Sequence, residues 1–170
     1  MATEDAKNEQ ILYGVDIRGH HSASGRLVVV DLIESLKQHL RERPMDLYNL
    51  SPRRFEELVH CLLTDFGYDC ELTPQTRDGG YDIYANLRTR AGSFLLLVEC
   101  KRWAPVEHVG IDIVQRVNGV RDAANAHKAM IVTTSFFTQP AIQEQRRIAT
   151  KLELADYDVL KTWLGAMAEK

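Results

Sequence analysis

The chain has 170 residues, 45% of them hydrophobic and 26% charged, a balance that suits one globular domain with a core large enough to dispense with staples. Its three cysteines, Cys61, Cys70 and Cys100, are odd in number and lack C-x-x-C spacing, which argues against a disulfide framework or a structural zinc site and for a reducing compartment. A formal net charge of −3 counts against a dedicated basic nucleic-acid-binding domain, although contact charges are local and a site that holds cations contributes acids of its own.

No run of 18 residues is apolar enough to cross a membrane. The first ten residues are charged and lack the apolar stretch of a signal peptide. The expected location is cytoplasmic, with no membrane partner.

In chain order, residues 1–47 read as a short N-terminal appendage. Residues 1–10 are expected to be disordered, Ile11 to Ile17 to form a strand, and Gly19 to Gly25 a loop in which His20 and His21 are surface residues. Val29, Leu32, Ile33, Leu36 and Leu40 recur at helical spacing and predict a helix over 28–42, ended by Pro44.

A second unit, 48–170, opens with Ser51 as a helix cap and Pro52 at the first helical position. Phe55, Leu58, Val59, Leu62 and Leu63 form one apolar stripe, and Gly67 closes the helix. Tyr68 to Thr73 reads as a strand, Pro74 to Gly80 as a polar turn, Tyr81 to Leu87 as a second strand, and Phe94 to Cys100 as a buried central strand. A helix is predicted over 108–126, with Ile113, Val114, Val117, Val120 and Ala124 inward. Then come a strand from Lys128 to Thr133, a helix from Gln139 to Thr150, a strand from Leu152 to Ala155, and a last helix from Val159 to Ala168. The early strands are close enough for an antiparallel meander, whereas the later ones need helical crossovers and join in parallel. The expected fold is α/β, a central mixed sheet flanked by helices.

The chemistry concentrates between Arg77 and Lys101. Residues i and i+2 of a strand share a face, so Glu99 and Lys101 point one way and Cys100 the other. Five apolar residues lead into this pair, and charges at the end of a buried strand are costly unless paired or bound to a metal. Asp82 opens the preceding strand, and an antiparallel pairing brings it level with Glu99. Two carboxylates ~4 Å apart repel by roughly 1 kcal/mol in water and about 4 at an effective dielectric of 20. A divalent cation turns that repulsion into a site. Oxygen ligands with open positions suit Mg²⁺ or Mn²⁺, and the backbone carbonyl of Cys100 offers a further oxygen. The bland alternative is an Asp–Lys–Glu ion-pair cluster at a sheet end.

Glu56, at the border of its helix's apolar stripe, is better placed than Glu57 to reach such a site. Gln115 borders the stripe of its own helix and could orient water or phosphate. Gly79-Gly80 marks a tight turn or close approach, and Asp78 is either a second acid or, the favoured reading, a turn residue bonding its own backbone. Arg53, Arg54, Arg77, Arg88, Arg90, Arg102, Arg116 and Arg121 could form a basic rim with Lys101. Thr133-Thr134-Ser135 follows a strand and could touch a phosphate, with helix capping the favoured role.

In combination and order, these motifs resemble the Mrr-like restriction endonucleases of the PD-(D/E)xK nuclease superfamily. The likeness spans roughly residues 48–160. It rests on Ser51 to Val59 with Phe66-Gly67-Tyr68, on Asp78-Gly79-Gly80-Tyr81-Asp82, on Val98-Glu99-Cys100-Lys101-Arg102-Trp103, on Val114-Gln115 and on Ile131 to Phe136. The resemblance implies a restriction-endonuclease-like core of αβββαβ order. It implies a Mg²⁺-dependent endonuclease acting on double-stranded DNA, commonly in restriction of foreign or modified DNA. Asp82 and Glu99 then become the metal acids, Lys101 the catalytic lysine, Glu56 the helical glutamate and Gln115 the supporting glutamine. Arg53, Arg77, Arg102 and Arg116 are the expected DNA contacts. Two cuts in a duplex suggest a homodimer, and no small-molecule cofactor is implied.

Glu-Cys-Lys stands where close relatives often carry Gln-x-Lys, and residues 1–47 are short for a target-recognition module. Two other classes stay open: a non-catalytic nucleic-acid or protein interaction module on a nuclease scaffold, and a repair or junction-resolving nuclease.

Overall fold

The computed structural model describes the backbone of residues 23–74 and 79–166, and side chains from Leu32 onward within those stretches. The expectations for residues 1–10, Ile11 to Ile17, His20 and His21, and those for Arg77 and Asp78, lie outside the described residues.

The chain divides into two compact units, Met1–Leu36 and Lys37–Lys170. The first is described by the N-terminal part of helix α1, which runs Ala23–Glu42. That helix begins five residues before the predicted start. Ala23 to Leu27 contains no proline to stop it, so Ala23, Ser24 and Gly25 are helical where a loop was predicted. Pro44 cannot continue the α-helix and instead opens a 3₁₀ turn, Pro44–Asn49, that buries Leu47.

Helix α2, Pro52–Asp65, starts as its sequence requires. The Ser51 hydroxyl accepts the Arg54 N–H at 3.3 Å, and Phe55, Leu58, Val59, Leu62 and Leu63 are all buried. Gly67 ends it at φ +95°, a left-handed conformation that costs glycine little. Its N–H reaches Thr64 O at 2.9 Å, and Tyr68 N–H reaches Leu63 O at 3.1 Å, so the last carbonyls of the helix are satisfied.

Among the described residues five strands follow, β1 (Asp69–Leu72), β2 (Ile83–Thr89), β3 (Gly92–Lys101), β4 (Lys128–Thr133) and β5 (Leu152–Ala155), ordered β1-β2-β3-β4-β5 in one sheet. β1–β2 and β2–β3 are antiparallel; β3–β4 and β4–β5 are parallel. The parallel steps cross through α3 (Ile111–Ala123) and α4 (Gln139–Arg147). These helices bury Val114, Val117 and Ala141 with Val109, Phe137, Ala129, Ile131 and Leu152 in one apolar cluster. α2 packs against β1, β2 and β3. Helix α5, Tyr157–Ala166, closes the chain and buries Tyr157, Leu160 and Leu164.

Several boundaries differ from the sequence expectations for local reasons. β2 begins at Ile83, two residues after Tyr81, because Gly80 sits at φ +75° and bends the chain there. α3 begins at Ile111, since Pro105 and Gly110 keep the preceding segment irregular. Ala124 is not inward; it is exposed and caps that helix. α5 begins at Tyr157, and the Asp156 carboxylate accepts the N–H groups of Asp158 at 3.0 Å and Val159 at 3.1 Å. No described helix is long and apolar enough to cross a membrane.

Candidate active site

The sheet register positions the two acids. Ile83 pairs with Val98, so Asp82 stands one step beyond the ladder, across from Glu99. Its N–H donates to Val98 O at 2.8 Å. Its carbonyl accepts the Thr73 N–H at 2.9 Å and the Thr73 hydroxyl at 3.1 Å. With its backbone held on both sides, the Asp82 carboxylate turns to the end of β3, where Oδ2 accepts the Cys100 N–H at 2.6 Å. Cys100 thus enters the site through its amide.

Gly80 lets this loop approach α3. A Cβ there would lie 2.7 Å from Val120 Cγ2, a contact that no real side chain makes without displacement.

Asp82 is pushed up from 3.8 to about 6. Burial is the largest cause; the Cys100 N–H opposes it, the carboxylates of Glu99 and Glu56 add to it, and Lys101 offsets part. Burial likewise raises the Cys100 thiol well above its usual range, with Asp82, Glu56 and Glu99 contributing. Asp82 therefore feels both of the other acids.

Glu99 is only 5% exposed. Its Oε1 is met by Lys101 Nζ at 2.5 Å and by Arg116 Nη2 at 2.9 Å. Lys101 comes from the same face of β3, two residues on; Arg116 comes from α3. One buried carboxylate is held by two cations, as burying a charge requires. The Arg116 contact was not foreseen: alone, an exposed helix arginine carries no signal that distinguishes it from a solvated one.

Glu56 projects from α2 with its side chain 16% exposed and pairs with Arg53 at 2.9 Å. Arg53 also donates to Thr73 O at 3.2 Å, tying α2 to the residue that clasps Asp82. Glu57 is paired with Arg54 at 2.9 Å. Gln115 is exposed, next to Arg116 on α3. Arg102 is half-buried, and its Nε has no hydrogen-bond partner among the described residues. Arg121 does not belong to a basic rim. It is 6% exposed and donates to Asn118, Asp122 and the Ala126 carbonyl, because its position on α3 faces inward.

Thr133, Thr134 and Ser135 are fully buried and do not cap a helix; Thr138 caps α4, accepting the Ala141 N–H at 3.4 Å. The three residues brace the segment that follows β3. Thr133 Oγ1 donates to Lys101 O at 2.8 Å. Thr134 Oγ1 donates to Trp103 O at 2.8 Å and accepts Trp103 N–H at 2.9 Å. Ser135 Oγ donates to Pro105 O at 3.4 Å.

Among the described residues no three His, Cys, Asp or Glu side chains form a ready cage for a metal ion. The donor chemistry nevertheless fits a hard cation. Magnesium keeps several waters and is commonly held by one or two carboxylates. Asp82 and Glu99 supply two, with Glu56 near enough to raise the pKa of Asp82.

A mixed sheet carrying an acid before one strand and Glu-x-Lys at the end of the next, with a helical glutamate beside them, defines the restriction-endonuclease-like class of fold. Residues 47–164, well over half the chain, match the Mrr catalytic-domain family, described as restriction endonuclease, and the chain belongs to that family. It is 26% identical over 142 residues to y4cE, an uncharacterised protein of Sinorhizobium fredii, covering 83% of this chain and 36% of that protein.

Among solved structures it resembles the DNA modification-dependent restriction endonuclease AspBHI, with a TM-score of 0.55 and 22% identity over 81% of this chain and 35% of that one. It also resembles MspJI restriction endonuclease, solved with a 27-mer oligonucleotide, with a TM-score of 0.50 and 17% identity over 88% of this chain and 34% of that one. The chain spans about a third of the length of these relatives.

Proposed function

We propose that residues 48–170 are the catalytic domain of a Mg²⁺-dependent endonuclease that hydrolyses phosphodiester bonds of double-stranded DNA in restriction of, or defence against, foreign DNA. The observation that carries this reading is the meeting of Asp82, Glu99 and Lys101 at the end of β3, through the Asp82–Cys100 bond at 2.6 Å and the Lys101–Glu99 pair at 2.5 Å. Family membership supports the reaction class, and the oligonucleotide bound by MspJI supports DNA as the partner.

Asp82 and Glu99, with the Cys100 carbonyl, would hold Mg²⁺, or Mn²⁺ in its place. When bound, such an ion polarises the phosphate and lowers the pKa of a coordinated water. Lys101, 21% exposed at its side chain, is placed to orient the attacking water and to stabilise charge on the phosphate as it develops. Glu56 stands beside Asp82 as a further acid, and Gln115 flanks the site on α3. Arg53, Arg77, Arg102 and Arg116 are the proposed backbone contacts to DNA, with Arg53 first releasing its tie to Glu56. A homodimer supplies the second cut of a duplex. Three cysteines, an odd number without C-x-x-C spacing, suit a reducing cytoplasm, and residues 1–47 form an appendage.

The test is cleavage of supercoiled plasmid in Mg²⁺ by the unaltered chain, Asp82→Asn and Lys101→Met. Each substitution should slow strand scission by at least about 100-fold, of the order general acid–base and electrostatic groups contribute. Equal rates for all three proteins would overturn the reading.

A further inference from the structure

Glu99 has one carboxylate and two cations on the same oxygen, Lys101 Nζ at 2.5 Å and Arg116 Nη2 at 2.9 Å. A divalent ion shared by Asp82 and Glu99 would bring a third positive group to a carboxylate that already faces two. At such distances like charges repel strongly wherever water is scarce, and Glu99 is 5% exposed. The less firmly anchored of the two monovalent cations is the one such an ion would displace. Lys101 is anchored on the same strand two residues from Glu99, and its side chain is 21% exposed. Arg116 reaches in from α3 on a long side chain that is 43% exposed, so solvent already receives much of it.

We infer that Arg116 is a place-holder for the metal: in the metal-free protein its guanidinium neutralises Glu99, and it withdraws when a divalent ion binds. This rests on the proposed metal-dependent reading of the site. The arrangement lets a buried carboxylate persist without metal while keeping the site from filling at low ion concentration. Arg116 is a positioning residue in this scheme and acts through Glu99. Once withdrawn, its guanidinium has the planar, bidentate geometry suited to a phosphate.

The experiment is calorimetric titration of the full chain with Mn²⁺ and no DNA, for the unaltered protein, Arg116→Ala, Arg116→Gln and Arg116→Lys, each also in an Asp82→Asn background. Removing the competing charge should tighten Mn²⁺ binding about tenfold in Arg116→Ala and Arg116→Gln, within the usual range of site coupling. Arg116→Lys, which keeps the charge, should stay near the unaltered affinity. Asp82→Asn should abolish the binding heat throughout. Binding detected only in the neutral variants would also support the inference. If the neutral variants bind Mn²⁺ as the unaltered protein does, or more weakly, the place-holder role is wrong while the metal site stands. If no protein shows Asp82-dependent binding, both fall.

Discussion

The Asp82 carboxylate and the Cys100 amide are joined across two strands by a single hydrogen bond of 2.6 Å. It fixes the acid before β2 at the point on β3 that lies between Glu99 and Lys101. The bond favours the ionised acid, whereas burial and two neighbouring carboxylates oppose it, and the second influence is larger. Asp82 is thus held in place while its charge is only partly compensated, the condition in which a carboxylate has most to gain from a cation.

A pH dependence of stability follows. Asp82 titrates at about 6 in the folded chain against 3.8 for the free group, so between those values the folded state holds a proton that the unfolded chain releases. Its contribution is fully present below the lower value and is lost as pH rises through the upper one. In chelator, Asp82→Asn should melt above the unaltered protein at about pH 7, and the gap should narrow toward pH 4. A gap independent of pH, by thermal denaturation, would show that Asp82 titrates normally.

Glu56 raises Asp82 through space. Glu56→Gln should therefore move the acidic limb of the cleavage profile, or of Mn²⁺ affinity, to lower pH. Its effect on stability should stay within about 0.5 kcal/mol, because the Arg53–Glu56 pair is partly solvated. An acidic limb unmoved by the substitution would separate Glu56 from the site.

Gly80→Ala should cost about 1–3 kcal/mol in urea denaturation, from a positive φ and from overpacking against Val120. Adding Val120→Ala should recover the steric part and leave the backbone part. The same substitution should slow cleavage, since Asp82 lies two residues on. Wild-type stability in Gly80→Ala would mean that the loop yields freely.

Thr134→Val removes a buried hydroxyl that both donates to and accepts from Trp103. The expected loss is about 1–3 kcal/mol, with slower cleavage because the chain after Lys101 loses its brace. Thr134→Ser should restore both. An unchanged denaturation midpoint in Thr134→Val would show that water or a neighbour replaces the hydroxyl.

The parts of the fold that rest on local pattern were legible from residues alone. β4 and β5 have the predicted bounds, Lys128–Thr133 and Leu152–Ala155, because short apolar runs between polar turns have few other readings. α2 was equally plain from its cap, stripe and terminal glycine. Thr133 to Ser135 misled, because a hydroxyl cluster after a strand looks the same whether it caps a helix or is buried against a neighbouring loop. Arg121 misled for a similar reason: an inward arginine held by Asn118 and the Ala126 carbonyl has no distinct local pattern.

By itself the sequence determined the order of elements and, through the two-residue repeat of a strand, that Glu99 and Lys101 share a face. Only the tertiary structure decided that Arg116 rests on Glu99, that Gly80 abuts Val120 and that Thr133 and Thr134 hold the chain beyond Lys101. Those contacts join segments 17 to 40 positions apart. They depend on sheet register and on how closely a helix lies to the sheet, which are set by packing of the whole core rather than by any residue's neighbours in the chain.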